Sequence, residues 1–477
     1  MSALEIAALA PELVLLAGGV LILLLDAFAP GLRRAWTPLA LAATAVAAWA
    51  AWRRVPFGPS FDGLLEASPV TLGFSLVVLV ATALGLLASD GYLRRERILA
   101  GEYHALLLWC AVGLLLMLRA TELLTLFLAL ETLSLCLYTL AAFHRRVEVG
   151  TEAALKYFLM GAFVSAFVVF GIALLYGETG STRLEAIASA VQAAQGPSLV
   201  ASLGFLLLVA GFGFKMSVVP FHAWAPDTYQ GAPSPFVGFL SVAPKVASAL
   251  VLFRILEAAL AGGAAGKWSQ LVAILAVASM VVGNLLALVQ RDIKRMLAYS
   301  GVAHMGYLLL ALVVVDGASL APLLVYLLAY TLMNAGAFTV VALLYSRVGE
   351  QHLVSELSGW GYRFPLLGAC LTVSMLSLAG LPPTAGFLGK YLVFLNAVGD
   401  GLVGLAVVGV LASLVGVVYY LRVVYVLYMK PETGQPQGLL LDGWGRAAAV
   451  LAALATLALG LWPSGLLEWT LEATLPR

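Results

Sequence analysis

Six of the 26 lysines and arginines lie inside long apolar stretches: Lys156, Lys215, Lys245, Arg254, Lys390 and Arg422. Glu131, in LFLALETLSLCLY, and His304, in AYSGVAHMGYLLL, share that kind of setting. A charge at the centre of a bilayer costs about 2.5–3.5 kcal/mol even on lenient insertion scales, and such groups usually line proton or ion routes. The chemistry open to this set is proton exchange. Removal from water favours the neutral form of a carboxyl or an amine. An imidazole can accept a proton on one nitrogen while releasing one from the other.

The positions differ in how strongly they argue for that role. Glu131 has apolar or small residues on both sides; the alternative is a neutral glutamate bonded to a backbone carbonyl or a serine. Lys215 sits in GFGFKMSVVPFHAWAPDTYQGAPSP, with Gly211 and Gly213 before it and Pro220 after it. Proline removes a backbone donor and interrupts the helix, and a helix broken at mid-membrane exposes carbonyls and amides that hold water and orient a charge. The alternative for Lys215 is snorkelling to the surface. Lys245, next to Pro244, lies far from both ends of its stretch, and Lys390 follows the Pro-Pro break in LAGLPPTAGFLGKYLVF. Lys156 lies near the start of its stretch, where a relay and a snorkelling role stand equal. His304 is open to a relay or a hydrogen-bonded packing role. Arg254, with Glu257 three residues on, predicts an interfacial ion pair. Arg422, among Tyr419, Tyr420, Tyr425 and Tyr428, predicts a structural arginine in an aromatic belt. His222, Trp224 and Asp227 follow Pro220 and are placed to line an inlet.

Only membrane helices can hold these residues where the sequence puts them. The chain is 62% hydrophobic and 11% charged, where soluble chains carry about 25% charged residues. Apolar runs long enough to cross a bilayer fall near 9–28, 35–52, 69–89, 102–118, 121–143, 153–177, 199–219, 233–259, 268–289, 297–315, 319–345, 362–400, 402–428 and 447–466. The expected fold is therefore an all-α integral membrane protein of about fourteen transmembrane helices. The run 362–400 is too long for one straight crossing and holds Gly380, Pro382, Pro383, Gly386 and Gly389, which predicts a broken helix. With both termini outside, fourteen loop lysines and arginines fall on the cytoplasmic side and six on the other, the asymmetry of the positive-inside rule. The second proline-broken crossing comes five spans after the first. That spacing predicts two inverted five-helix repeats, a symmetry common in transporters. The chain then divides into 1–100, a three-helix segment; 101–260 and 261–430, the two repeats; and 431–477, a loop and the last crossing. The insertion 178–198 has room for a short surface helix.

Other functions find little support. A net charge of +1 gives no reason to expect a nucleic-acid partner. Cys110, Cys136 and Cys370 have no spacing that suggests a disulfide frame, a metal site or an iron–sulfur cluster. AGGAAGKW departs from a P-loop at Ala261 and Trp268, and no haem, flavin or nucleophile motif is present, so no cofactor is expected in this chain. Acidic Glu5 and Glu12 near the start predict a retained first helix rather than a cleaved signal peptide.

FKMSVVPFHAWAPDTYQGAPSP, with Glu131 upstream and LAGLPPTAGFLGKY downstream, resembles the antiporter-like subunits of respiratory complex I and their Mrp and membrane-hydrogenase relatives. The resemblance covers nearly the whole chain and is clearest over spans four to thirteen. It implies fourteen helices, two inverted repeats and discontinuous seventh and twelfth helices. It also implies a proton relay of Glu131, Lys215, Lys245 and Lys390, with His304 and Lys156 at further polar positions. Lysine at 245 and at 390, and the end of the chain after span fourteen, make it look most like the N-type subunits of NADH:quinone oxidoreductase. That implies M-type and K-type membrane neighbours, a bacterial inner-membrane setting, coupling to quinone reduction elsewhere and no redox centre in this chain. An Mrp-type cation/proton antiporter subunit and a structural or assembly subunit stay open as alternatives.

Overall fold

Backbone amides in hydrocarbon must bond within their own segment, which leaves helices as the spanning structure available to this composition. The computed structural model describes residues 3–53, 55–145, 148–261, 265–346, 349–350, 353–431 and 442–474. A short α1 (Ala3–Ala8) leads into α2 (Ala10–Phe28), α3 (Trp36–Arg53), α4 (Pro69–Arg95), α5 (Gly101–Arg119), α6 (Leu123–Ala141) and α7 (Glu148–Thr179), the first six crossings. The expected surface helix is α8 (Leu184–Ala193). The seventh crossing is split into α9 (Leu199–Met216) and α10 (Trp224–Gly231), and the eighth into α11 (Ser234–Leu240) and α12 (Ala243–Leu260). Then come α13 (Ala265–Val289), α14 (Ile293–Leu310), α15 (Leu320–Leu343) and a single turn, α16 (Trp360–Arg363). The twelfth crossing is split into α17 (Pro365–Ala379) and α18 (Ala385–Gly399), and α19 (Val403–Met429), α20 (Gly443–Leu461) and α21 (Ser464–Thr474) complete the described chain. Among the described residues, strands are limited to two small antiparallel hairpins.

Among the described residues, twelve helices are long and apolar enough to cross a membrane unaided. α14, more polar because it carries Lys294, Arg295 and His304, and the split pair α17/α18 bring the crossings to fourteen. The split seventh and twelfth crossings are five apart, an odd number, so they run in opposite senses. α12 and α15 are buried over almost their whole length and form the spine of the bundle, while α7, α13 and α19 turn one face outward. Leu159, Phe163 and Leu414 lie on such outward faces. Apolar side chains there suit lipid or a partner helix.

Both predicted breaks close in the same way. Ser217 takes a left-handed conformation (φ 63°) and the Val218 amide reaches back to the Gly213 carbonyl at 2.8 Å. Gly380 (φ 82°) does the same, with the Leu381 amide on the Leu376 carbonyl at 3.0 Å. This is the Schellman closure that satisfies the last carbonyls of a helix. Gly386 follows the second break, and a Cβ there would overlap the Ser377 carbonyl, so α18 returns against α17 only with glycine at that position.

Three expectations need correction. The run 233–259 breaks at Ser241–Val242: Pro244 has no N–H to give the Leu240 carbonyl, the Val242 amide turns to Phe239 at 3.1 Å, and the Ser241 hydroxyl takes the Gly238 carbonyl. The run 297–315 begins earlier, at Ile293, because Asp292 accepts the Arg295 amide at 2.9 Å as an N-cap. The expected Arg254–Glu257 pair gives way to a different bond. Arg254 donates to the Leu118 (2.9 Å) and Ala120 (3.2 Å) carbonyls, at the end of α5 where the helix supplies no further donors. Arg422 plays the structural part expected of it, holding the Leu288 and Gln290 carbonyls at 3.0 and 2.6 Å.

A buried ion pair fastens the N-terminus: Arg119 donates to the Ala8 carbonyl (2.6 Å) and to Glu12 (2.9 Å). Removing one member of such a pair leaves an uncompensated charge, at a cost of about 3–5 kcal/mol. Glu12→Ala should therefore lower the melting temperature of the assembled protein clearly, and Glu12→Gln, which still offers an acceptor, should lower it less.

Candidate functional site

Lys215, Lys245, Lys390 and His304 are 4%, 1%, 6% and 1% exposed, and none has a carboxylate within ion-pair distance among the described residues. Each is held by hydroxyls, carbonyls and aromatic faces. Their order along the chain is also their order in space, and α9, α12, α14 and α18 supply them.

At one end, Glu131 projects from α6 and accepts the Ser165 hydroxyl of α7 at 2.6 Å. One turn further along α6, Ser134 accepts from the Lys215 ammonium at 2.8 Å. Glu131 bonds α7 and Lys215 bonds α6 one turn away, without a direct ion pair between them. The ammonium stands over the rings of Tyr138 (5.3 Å) and Tyr157 (5.8 Å), a cation–π setting. The break just after Lys215 is supported by Trp224, whose indole N–H donates to the Phe214 carbonyl at 2.9 Å.

Aromatic rings bridge from here to the second lysine. Tyr157 stacks on Trp224 at 4.6 Å, Trp224 meets Tyr229 edge-on at 6.1 Å, and Lys245 lies 6.0 Å from the Tyr229 ring. The buried hydroxyls of Tyr138, Thr228, Tyr229, Ser248 and Thr331 have no partner among the described residues. Buried polar groups are rarely left unpaired, and water is the ordinary partner where the protein supplies none.

Lys245 donates to the Tyr330 hydroxyl at 3.4 Å. Gly301 on α14 makes room for it, since a Cβ there would lie 2.8 Å from the Lys245 nitrogen and 2.9 Å from the Tyr330 oxygen. His304 follows one turn on, with Nδ1 2.7 Å from the Tyr326 hydroxyl and Nε2 3.1 Å from that of Tyr420. A neutral imidazole donates through one nitrogen and accepts at the other, so one tyrosine donates and the other accepts. Tyr420 in turn bonds Ser300.

Lys390 ends the file. Its nitrogen bonds the Leu378 and Ala379 carbonyls, each at 3.0 Å, and Ser413 at 2.8 Å, above the Tyr307 ring at 5.1 Å. The two carbonyls belong to the end of α17, so the charge sits at the negative pole of that half-helix.

Lys156 stands apart. Its side chain is about half exposed and bonds Glu152 (2.7 Å) and Asp227 (3.2 Å), and Asp227 also holds Arg295 at 2.6 Å. His222 is half-buried beside Tyr299 at 6.4 Å, in the loop of the first break. Sequence reasoning missed the hydroxyls. Ser134, Ser165, Ser413 and the tyrosines at 138, 229, 326, 330 and 420 carry no charge and leave no mark on hydropathy; the only signal was the density of tyrosine near the charged positions.

The fold and the file define a multi-pass membrane protein with a line of ionisable groups through its middle. Residues 120–416 match the family profile described as NADH:quinone oxidoreductase/Mrp antiporter, TM. NADH-quinone oxidoreductase subunit N of Trichlorobacter lovleyi is 40% identical over 97% of this chain and 96% of its own. A chain of respiratory complex I from Thermus thermophilus superposes with a TM-score of 0.81 at 35% identity, over 96% of this chain and 98% of that one. A chain of the Mrp complex from a Dietzia species shares the fold, with a TM-score of 0.87 at 22% identity over 99% of this chain and 97% of its own. The chain belongs to the NADH:quinone oxidoreductase/Mrp antiporter family, and relatives such as those of Trichlorobacter lovleyi and Salinibacter ruber carry the subunit N name.

The packing of Lys245 against Gly301 can be checked by a double-mutant cycle. Gly301→Ala should destabilise the protein by about 1–3 kcal/mol through overpacking, and Lys245→Ala in the same chain should remove most of that penalty. Strictly additive thermal shifts would place the two residues out of contact.

Proposed function

We propose that this chain translocates protons as an antiporter-like membrane subunit of NADH:quinone oxidoreductase, and that Glu131, Lys215, Lys245, His304 and Lys390 form its route. The observation that carries the reading is the absence of a carboxylate beside any of the three buried lysines, among the described residues. A lysine kept only for structure gains from a permanent counter-charge. One surrounded by neutral groups can give up its proton without leaving an unpaired anion behind.

The partners suit both protonation states. An ammonium has three donors, while a neutral amine has two donors and a lone pair. At Lys390 the two carbonyls accept two N–H bonds in either state, and the Ser413 hydroxyl can turn to accept the third or to donate to the lone pair. Ser134 offers Lys215 the same choice, as Tyr330 does Lys245. Water on the unpartnered hydroxyls of Tyr138, beside Lys215, and Tyr229, beside Lys245, would join the two.

Glu131 is the control element in this reading. A unit ion pair at about 4 Å is worth about 4 kcal/mol at an effective dielectric of 20, and moving one charge against 100 mV takes about 2.3 kcal/mol. Drawing Glu131 toward Lys215 holds the proton there; moving it away sends the proton on toward Lys390. Quinone reduction in another part of the complex drives that movement, and the chain carries no redox centre of its own.

Glu131 is only partly buried, and Leu128 and Leu135 on the same helix are exposed. A carboxylate at that depth calls for a protein neighbour, and a K-type subunit on this side with an M-type subunit on the other suits the ends of the file. Both termini then lie on the outer face of a bacterial inner membrane, with the arginine-rich loops inside. The second reading, an Mrp-type antiporter subunit, shares the fold; NADH-oxidising and quinone-module subunits in the purified complex would decide against it.

In sealed vesicles, Glu131→Ala and Lys215→Ala should each lower proton translocation about tenfold or more while the complex still assembles, since about 1.4 kcal/mol suffices for a factor of ten. Normal pumping by both variants would refute the route. Normal stoichiometry with all of Glu131, Lys215, Lys245 and Lys390 neutralised would favour a structural subunit.

A further inference from the structure

On the arginine-rich side of the membrane, a groove of about 560 Å³ opens between the ends of α2, α5 and α6. Its mouth carries Arg97 and Arg145, with Glu102 as the one acidic lining residue, and Leu23, Leu106 and Trp109 line its apolar part. Trp109 lies eight residues into α5, so the apolar floor runs about 12 Å toward the membrane centre at 1.5 Å per residue.

Neither arginine has an ion-pair partner among the described residues. The neighbouring acid, Glu96, is already engaged by Arg95 at 3.1 Å, with His144 at 3.9 Å. Arg97 also occupies an unusual backbone position. It has a left-handed φ of 56° at the end of α4, where the Ile98 amide bonds the Leu93 carbonyl at 3.0 Å. Glycine is the usual residue there because a side chain brings strain. An arginine at that position projects its guanidinium from a fixed point at the rim.

We propose that this groove binds an anionic phospholipid, with the phosphate on Arg97 and Arg145 and an acyl chain along Leu23, Leu106 and Trp109. Charge complementarity at the mouth and an apolar floor below it describe an amphiphile. Basic pockets between helices on the cytoplasmic side are the usual form of such sites. A polypeptide strand in the same groove would carry unpaired amides into its apolar part, and an apolar partner helix would bring no anion to Arg97 and Arg145, which favours lipid as the occupant, at the edge of the neighbour's contact with α6. Thr139, Ala142 and Phe143 of the wall belong to the end of α6 or just past it, so the bound lipid buttresses the helix that carries Glu131 and Ser134.

The test uses the intact complex containing this subunit, with a photoreactive benzophenone side chain at position 106, in vesicles of phosphatidylcholine with a minor share of phosphatidylglycerol. Illumination and mass spectrometry of the subunit read the ratio of the two lipid adducts. Phosphatidylglycerol should be enriched over its share of the bilayer. Arg97→Gln with Arg145→Gln should reduce that enrichment about thirty-fold, the factor that two basic contacts of ordinary strength carry. Arg97→Lys with Arg145→Lys should keep most of it. If the glutamine pair impairs assembly, high salt on the parent complex supplies the same comparison through screening. Adducts that follow the bulk lipid composition, enrichment unmoved by the glutamine pair or by salt, or cross-links to a neighbouring subunit would each overturn the proposal.

Discussion

Three lysine ammoniums buried in an apolar helical bundle are the constraint on which the rest of the molecule turns. Lys215, Lys245 and Lys390 lie away from both surfaces, and no described carboxylate neutralises them. What stabilises them is local and neutral: Ser134 and two tyrosine faces at the first, Tyr330 and Tyr229 at the second, Ser413 and two carbonyls at the third. An unbroken apolar helix could not offer that. The interrupted crossings put polar backbone and hydroxyls at mid-membrane, and Gly301 and Gly386 give the space for close approach.

The two main breaks share their closure but hold their lysines differently. Lys215 precedes its break, on the last turn of α9, and points to α6. Lys390 lies beyond its break, on α18, and reaches back to the carbonyls of α17. The first arrangement leaves the ammonium sensitive to a carboxylate on a neighbouring helix, and the second ties it to the negative pole of its own broken crossing. An end that responds to charge and an end that holds it steady are what a directed transfer between them requires. His304, between two tyrosines and one turn from the glycine that seats Lys245, stands between the two regimes.

Much of this was legible in the sequence. Apolar runs located the fourteen crossings, though the run 199–219 missed α10, the far half of the seventh, and the clusters around Pro220 and Pro382 marked both broken helices, because proline and charge both stand out against lipid. Lys215, Lys245, His304 and Lys390 could be picked out singly, since each violates hydropathy. Their partners could not. Serine and tyrosine are ordinary in membrane helices, and whether Ser413 faces Lys390 depends on the packing of α18 on α19. The break in the eighth crossing was hidden because Pro244 falls within the first turn of α12, where proline is well tolerated. Arg254 was misread because short-range spacing favoured Glu257, while the free carbonyls at the end of α5 are distant in sequence and adjacent in space.

The most direct test of a continuous polar file is the density between Lys215 and Lys245 in a high-resolution electron cryomicroscopy map of the complex. Ordered water bridging the unpartnered hydroxyls of Thr228, Tyr229 and Ser248 toward both lysines is the result this architecture predicts. A dry, tightly packed gap that stays closed in every turnover state would contradict it.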